Sequence, residues 1–592
     1  MRDTRHSLTA NGARALPSAL VTLSLLAIAC GGSGEGSVTP PPPPPPPPPT
    51  NAVTLAAGQT APAANGQQLT LGGLASGGEY LLVVSDTLSA GSGTSNYVVA
   101  VTGTTAPGTV SAPSTDRIGT EATLDGAPAS FAPVLDVSYG ARLNERVRDR
   151  LRGGFSTARA SFSAGGLRPT TASRSLSAAA IPAVGDLVNY NVNQSACDTL
   201  TVHPSRIVAV GTNAIIAVDT LNPPSGFSNA DFVRVAANFD TLVYPLDVTN
   251  FGAPTDIDGN NHVVLLFTRA VNELTPAGSQ SFVGGFFFSR DLFPTTAPAN
   301  SPGFACKGSN VAEMFYLLAP DPNGDVNGNK HTTGFVDSLT TGIVAHEFQH
   351  LINAGRRIYV NNANDYEVVW LNEGLSHIAE ELLFYRQAGL TPRQNISIAT
   401  LRSSAASVNA YNTDQGSNAG RYRQLLLAPA KNSPVRNDDS LGTRGATWSF
   451  LRYATDRRAA SGVSDATTFQ ALVNSRVNGI ANLSAVYGAG IGAMIRDWSI
   501  SNYTDDTLAG VAAELTQPSW NWHSIYPALG SGGGTYPLQV LPLATTGGSG
   551  TVVPGSAAYY RFAVPANASA TVTVSGGTAA AGLVVGTVVR IR

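Results

Sequence analysis

A chain of 592 residues has room for roughly two to four domains. Its 43% hydrophobic and 13% charged residues are those of a globular protein, and a formal net charge of −3 gives no basic excess to attract nucleic acid. Beyond residue 30 no apolar stretch is long enough to span a membrane.

Residues 1–29 read as an export signal. Arg2, Arg5 and Arg14 make a positive leader, and the apolar run Ala15 to Ala29 follows, too short for a transmembrane helix. The run ends Leu26-Ala27-Ile28-Ala29-Cys30, which resembles a bacterial lipobox with Cys30 as the lipidated first residue of the mature chain. Ala27 departs from the usual leucine, and the alternative is a plain cleaved signal with an incidental cysteine. Gly31-Gly32 brings no aspartate that would argue for inner-membrane retention. The expected location is therefore the outer membrane or cell surface, or else the secreted fraction; sequence says nothing of oligomeric state. Residues 30–50 form the anchor and a tether. Pro40 to Pro49 are ten consecutive prolines, which at ~3.1 Å per residue of polyproline II stand the domains off by about 30 Å. With Cys30 set aside, Cys197 and Cys306 remain as an even pair, able to close a disulfide in an oxidising compartment or to stay as two buried thiols.

Residues 51–135 alternate short apolar runs, such as Tyr80-Leu81-Leu82-Val83-Val84, with Gly/Ser/Thr turns, the pattern of a small β-sandwich. Residues 136–180 hold a short amphipathic helix rich in arginine near 141–152, then an Ala/Ser-rich linker. That linker is either a solvated connector or a processing site. Residues 181–525 carry strands and a helix near 229–246, then a mainly helical stretch from 336 to 500. Asp256/Asp258/Asn260 and Asp321/Asn323/Asp325/Asn327 alternate oxygen ligands as calcium loops do, or are ordinary turns; a possible Ca²⁺ belongs to them. Residues 535–592 return to β alternation and read as a second small sandwich.

The chemistry lies in His346-Glu347-Phe348-Gln349-His350. Leu339, Ile343, Val344, Phe348, Leu351 and Ile352 recur with helical spacing, with Asp337 or Ser338 placed to cap the start and Gly355 to end it, followed by the cations Arg356-Arg357. On that helix the two imidazoles share one face, with Glu347 beside them. A catalytic zinc takes a third protein ligand. A second amphipathic helix, with Leu371, Leu375, Ile378 and Leu382 on its stripe, offers Glu373.

An HExxH string followed by Asn372-Glu373-Gly374 resembles the glutamate-ligand branch of zinc metallopeptidases, the gluzincins. The fuller runs His346 to Asn353 and Trp370 to His377 are most similar to the hyicolysin-type neutral zinc metallopeptidases. The similarity extends over about 185–500, through Asp256 to Asn260, Gly284 to Phe287, Glu313 to Tyr316 and Gly445 to Tyr453. It implies an α+β, two-lobed zincin-type domain, a sheet-bearing lobe and a mainly helical one, with small β-sandwich domains appended. It implies Zn²⁺ on His346, His350 and Glu373, with Glu347 as general base. The activity implied is zinc-dependent endopeptidase hydrolysis of a protein or peptide substrate by a metal-activated water. Tyr366, His377, Tyr385 and Tyr411 are candidates to donate to the oxyanion. Thermolysin-like enzymes place an aspartate four positions after the glutamate ligand to orient a histidine; here that position is His377, and Glu380, one turn on, is the available carboxylate. The rival from another class is a surface adhesion or polymer-binding protein on an inactive peptidase scaffold, which has no use for Glu347. No GxSxG elbow, P-loop or Rossmann fingerprint supports another catalytic class.

Overall fold

The computed structural model describes residues 52–87, 93–108, 124, 134–136, 138–163, 181–297, 303–529, 534–576 and 584–592. The export segment, Cys30, the proline tether and residues 164–180 of the linker lie outside the described residues. The chain is mixed α+β. Among the described residues no helix is long and apolar enough to cross a membrane.

Six strands form the sheet of the first lobe: β1 (Leu187–Asn191), β2 (Val202–Val210), β3 (Ala214–Asp219), β4 (Val263–Thr268), β5 (Gly285–Phe287) and β6 (Met314–Leu318), in spatial order β5-β6-β4-β3-β2-β1. The apolar runs of β4 and β6 are buried along their whole length, as expected of parallel strands covered on both faces. β2 alternates buried with more exposed positions, as suits an antiparallel strand with one wet face. β5 pairs antiparallel with β6 through Gly285–Leu317, Phe286–Tyr316 and Phe287–Phe315, and among the described residues no strand pairs its other edge. A disulfide joins Cys197 to Cys306 across 109 positions.

The second lobe is helical. Helix α2 (Thr333–Gly355) carries the HExxH string, and α3 (Val369–Ala388) carries Glu373. The cap of α2 is Thr332, whose hydroxyl accepts from Phe335 N–H at 3.2 Å, so the helix begins a turn before Asp337 and Ser338. Nor does Gly355 end it. Its backbone is helical, and the chain runs on as a π turn over Arg356–Val360. Arg357 does not serve the helix end either: it is buried in an ion pair with Glu367 at 2.6 Å. The helix near 229–246 extends to Phe251 through a π segment at Phe239–Val243. Two further helices, α4 (Gly416–Leu427) and α5 (Leu441–Ala459), back the site. A Cβ on Gly445 would sit 2.3 Å from Arg421 C, and one on Gly374 would sit 2.4 Å from Thr447 Cγ2. These two glycines let α5 lie hard against α4 and α3.

The two chain ends correct the expectation of separate sandwiches. Strand 78–86 pairs with 557–564 on one side and 584–590 on the other, and strand 95–102 pairs with 548–552 and 570–576. The result is one sandwich of a five-stranded and a four-stranded sheet. Strands from the two ends interleave in both sheets. Period-two alternation divides strand 78–86: Tyr80, Leu82 and Val84 fill the sandwich, while Leu81 and Val83 join the core of the two lobes. Before the first lobe, helix α1 (Tyr139–Arg152) forms where the arginine-rich amphipathic stretch lies, burying Leu143, Val147 and Leu151.

Candidate active site

His346 and His350 stand one turn apart on α2, and α3 brings Glu373 against them. His346 Nε2 lies 3.1 Å from His350 Nε2, Glu373 Oε2 3.4 Å from His346 Nε2, and Glu373 Oε1 3.5 Å from His350 Nε2. Bonds of about 2.0–2.1 Å around a tetrahedral zinc place ligand atoms about 3.3 Å apart. The triangle fits that spacing, and all three residues are buried.

Their partners keep the lone pairs aimed inward. His346 Nδ1 is bonded to Glu380 Oε1 at 2.7 Å, which turns Nε2 toward the centre. Burial opposes protonation of His346, yet contacts with Glu373 and Glu380 outweigh it and push the imidazole up to about 10; in His350, burial and the neighbouring His346 bring it down to about 4. Burial alone would raise the Glu373 carboxyl. The guanidinium of Arg444 and the two histidines overcome this and hold it below the usual carboxylate range. Arg444, itself 1% exposed, contacts Glu373 Oε2 directly and Asp439 Oδ1 at 2.6 Å.

Glu347 is pushed up to about 7, chiefly by burial. Its Oε2 accepts from Phe287 N–H, on the edge of β5 away from β6, at 2.7 Å. This fixes the carboxylate between the edge strand and the cluster of His346, His350 and Glu373.

The position four after Glu373 does not orient a ligand. His377 is fully buried, with Nδ1 against Glu380 Oε1 and Arg421 Nη1, both at 3.2 Å. Glu380, two helical turns from Glu373, supplies the carboxylate instead, and Arg421 Nη1 donates to its Oε2 at 3.0 Å. Of the four hydroxyl and imidazole candidates, Tyr366 lines the cavity that holds His346, Glu347, His350 and Glu373. Its buried hydroxyl makes no well-formed hydrogen bond. Tyr385 O–H donates to Glu381 at 3.1 Å, and Tyr411 is packed beside Phe384.

The oxygen-rich loops divide. Asp321 spends its carboxylate on the N–H groups of Gly324, Asp325 and Val326, which makes that loop a closed turn. Asp256 and Asp258 come together with Glu313, whose Oε1 accepts from Thr255 and from Ile257 N–H. Arg444, Arg421 and Asp439 carry no sequence signal of their own, because each reaches the centre from an element remote in the chain; Phe287 lies in a stretch that shares the family resemblance, which does not point to its N–H. Glu380 was legible through its helical spacing.

Two histidines of one helix and a glutamate of the next could hold a metal ion, with a second glutamate, Glu347, beside them. Over 149 residues the chain is 28% identical to the neutral metalloprotease ShpI of Staphylococcus hyicus, a match that spans 25% of this chain and 30% of that protein. No family model matches. The likeness supports a metallopeptidase, with zinc the metal that such a donor set suggests.

Proposed function

We propose that this chain is a zinc-dependent endopeptidase, exported and held at the cell surface through Cys30. The observation that carries the catalytic part is the convergence of three ligand atoms at zinc spacing with the Glu347 carboxylate next to them. When bound to His346, His350 and Glu373, zinc would supply Lewis acidity, polarising the scissile carbonyl and lowering the pKa of the attacking water. Glu347 takes that water's proton on Oε1, the oxygen left free by the bond of Oε2 to Phe287 N–H, and delivers it to the leaving nitrogen. Glu380 holds the tautomer of His346, and Arg444 holds the ionised form of Glu373. Tyr366 donates to the developing oxyanion. An extended peptide would add to β5 along the edge that no strand of the described residues pairs.

The test is zinc content and casein hydrolysis for the wild type and Glu347→Gln. The variant keeps its zinc and loses activity by about 10²–10⁴-fold, the contribution of a positioned acid–base group. A wild type that binds no zinc and cleaves nothing returns the chain to the class of surface binding proteins, and a fully active variant removes Glu347 from the mechanism. Cys30→Ser with fatty-acid labelling tests the anchor; unlabelled wild-type protein would make it an ordinary secreted one.

A further inference from the structure

The edge of β5 away from β6 is already occupied by the chain's own α1. Phe287, the last residue of β5, turns its backbone groups away from β6, and Ser289, two residues on, opens a short 3-10 turn whose N–H meets the same α1 side chain as Phe287 O. Phe287 N–H is taken by Glu347. The other two groups are taken by one side chain: Asn144 Nδ2 donates to Phe287 O at 2.9 Å, and Asn144 Oδ1 accepts from Ser289 N–H at 2.9 Å. A carboxamide has the donor and acceptor of a peptide group, so Asn144 makes the pair of bonds that a neighbouring backbone would make there.

The flanking chain follows the same edge. Residues 134–135 pair in parallel with 281–282, just before β5, and Asp136 N–H donates to Phe282 O at 2.6 Å. Leu135 and Asp136 wall a cavity on one flank of His346 and Glu347; Gly140, Asn144 and Arg148 wall the cavity on the other. The segment thus straddles the reacting centre, where Glu347 is only 7% exposed. Its far end is tied to the loop before α3: Arg148 donates to Tyr366 O at 2.9 Å, Glu367 O at 3.0 Å and Asp365 Oδ1 at 3.1 Å.

From this we infer that residues 134–136 together with α1 are an intramolecular occluder of the catalytic cleft, with Asn144 standing in for a substrate peptide group. The inference rests on the peptidase reading. A protein substrate must displace the segment to reach β5, whereas a substrate of two or three residues has far less of the edge to win. Because strands 60–63 to 95–102 are built into the sandwich with the C-terminal strands, the occluder stays attached to the molecule when it lifts.

The test uses the full chain loaded with zinc, comparing wild type with the double variant Asn144→Ala/Arg148→Ala, which spares the buried Leu143, Val147 and Leu151. The expected kcat/KM for casein rises about tenfold, as losing a few hydrogen bonds that hold a closed state implies, while that for a short blocked peptide changes by less than about twofold. Amide hydrogen exchange of the zinc-free variant must rise at Ser289 and across 139–152. The opposite variant, Gly140→Cys/Phe286→Cys, uses positions whose Cβ atoms lie 3.3 Å apart, near disulfide range. Oxidised, it should cleave casein about tenfold more slowly than after mild reduction, with reduced wild type as control. Zinc-dependent cleavage that responds to neither variant, or a parallel loss on both substrates in the loosened one, overturns the occluder and leaves the peptidase. A chain that cleaves nothing in any form sinks both.

Discussion

The cluster around His346 and the sandwich are both interiors, but they are filled with opposite materials. Around His346 the buried groups are charged and interlocked: Glu380 with Arg421, Glu373 with Arg444, Arg444 with Asp439. In the sandwich they are Leu, Val, Tyr and Phe, such as Leu82, Val572 and Phe562. Removing one member of a charged interior strands its partner without solvent, whereas removing an apolar side chain leaves a void. The two regions should therefore fail in different ways.

The sharpest break comes at Glu373. Glutamine keeps the volume and removes the charge, so Arg444 stays buried with Asp439 as its remaining partner. Glu373→Gln is expected to lose zinc and, measured in chelator where zinc cannot contribute, to cost about 3–5 kcal/mol of stability. If denaturation of the zinc-free variant matched that of the zinc-free wild type, the charged interior would be no more than a binding site laid on an indifferent core.

Leu82→Ala asks the converse. Leu82 is fully buried in the sandwich, and truncation there costs about 3 kcal/mol through lost burial and the cavity left behind. Zinc stoichiometry should be unchanged. Loss of zinc along with stability would mean that the strand shared between the two cores, through Leu81 and Val83, couples them.

The contrast also explains what could be read from the chain alone. His346, Glu347, His350 and Glu373 sit within two helices, where periodicity assigns a face to every residue, and Glu380 follows by the same arithmetic. The sandwich has no such local signature. Its strands alternate convincingly, but alternation does not name a partner, and Tyr97 meets Tyr560 across 463 positions. Two sandwiches at two ends was the local answer, and the pairing of strand 78–86 on both sides with C-terminal strands overrules it. Arg444 and Asn144 were illegible for the same reason: each reaches the centre through tertiary packing. The caps of α2 misled in a milder way. Asp337 and Ser338 are acceptable N-caps, yet Thr332 takes the role because the helix gains another turn against the first lobe.

The smallest effect tests whether the charged interior is graded. Glu380 touches no ligand atom aimed at the centre, and it acts on His346 through Nδ1 at 2.7 Å. Glu380→Gln retains an oxygen that can accept from Nδ1–H, so the ring keeps its tautomer while losing the carboxylate that raises its basicity as a ligand. Zinc affinity, measured by competition with a chelator, should fall about 10–100-fold. Arg421 then loses its ion pair and keeps Asn418 Oδ1 at 2.8 Å, so part of any loss could be a cost to the fold. Glu380→Gln/Arg421→Met removes that ambiguity, since no buried charge is left alone. If the double variant regains stability but not zinc affinity, the carboxylate is a positioning group for His346. If affinity returns with stability, Glu380 serves only to neutralise Arg421, and orienting His346 must be reassigned to the packing of α2 against α3.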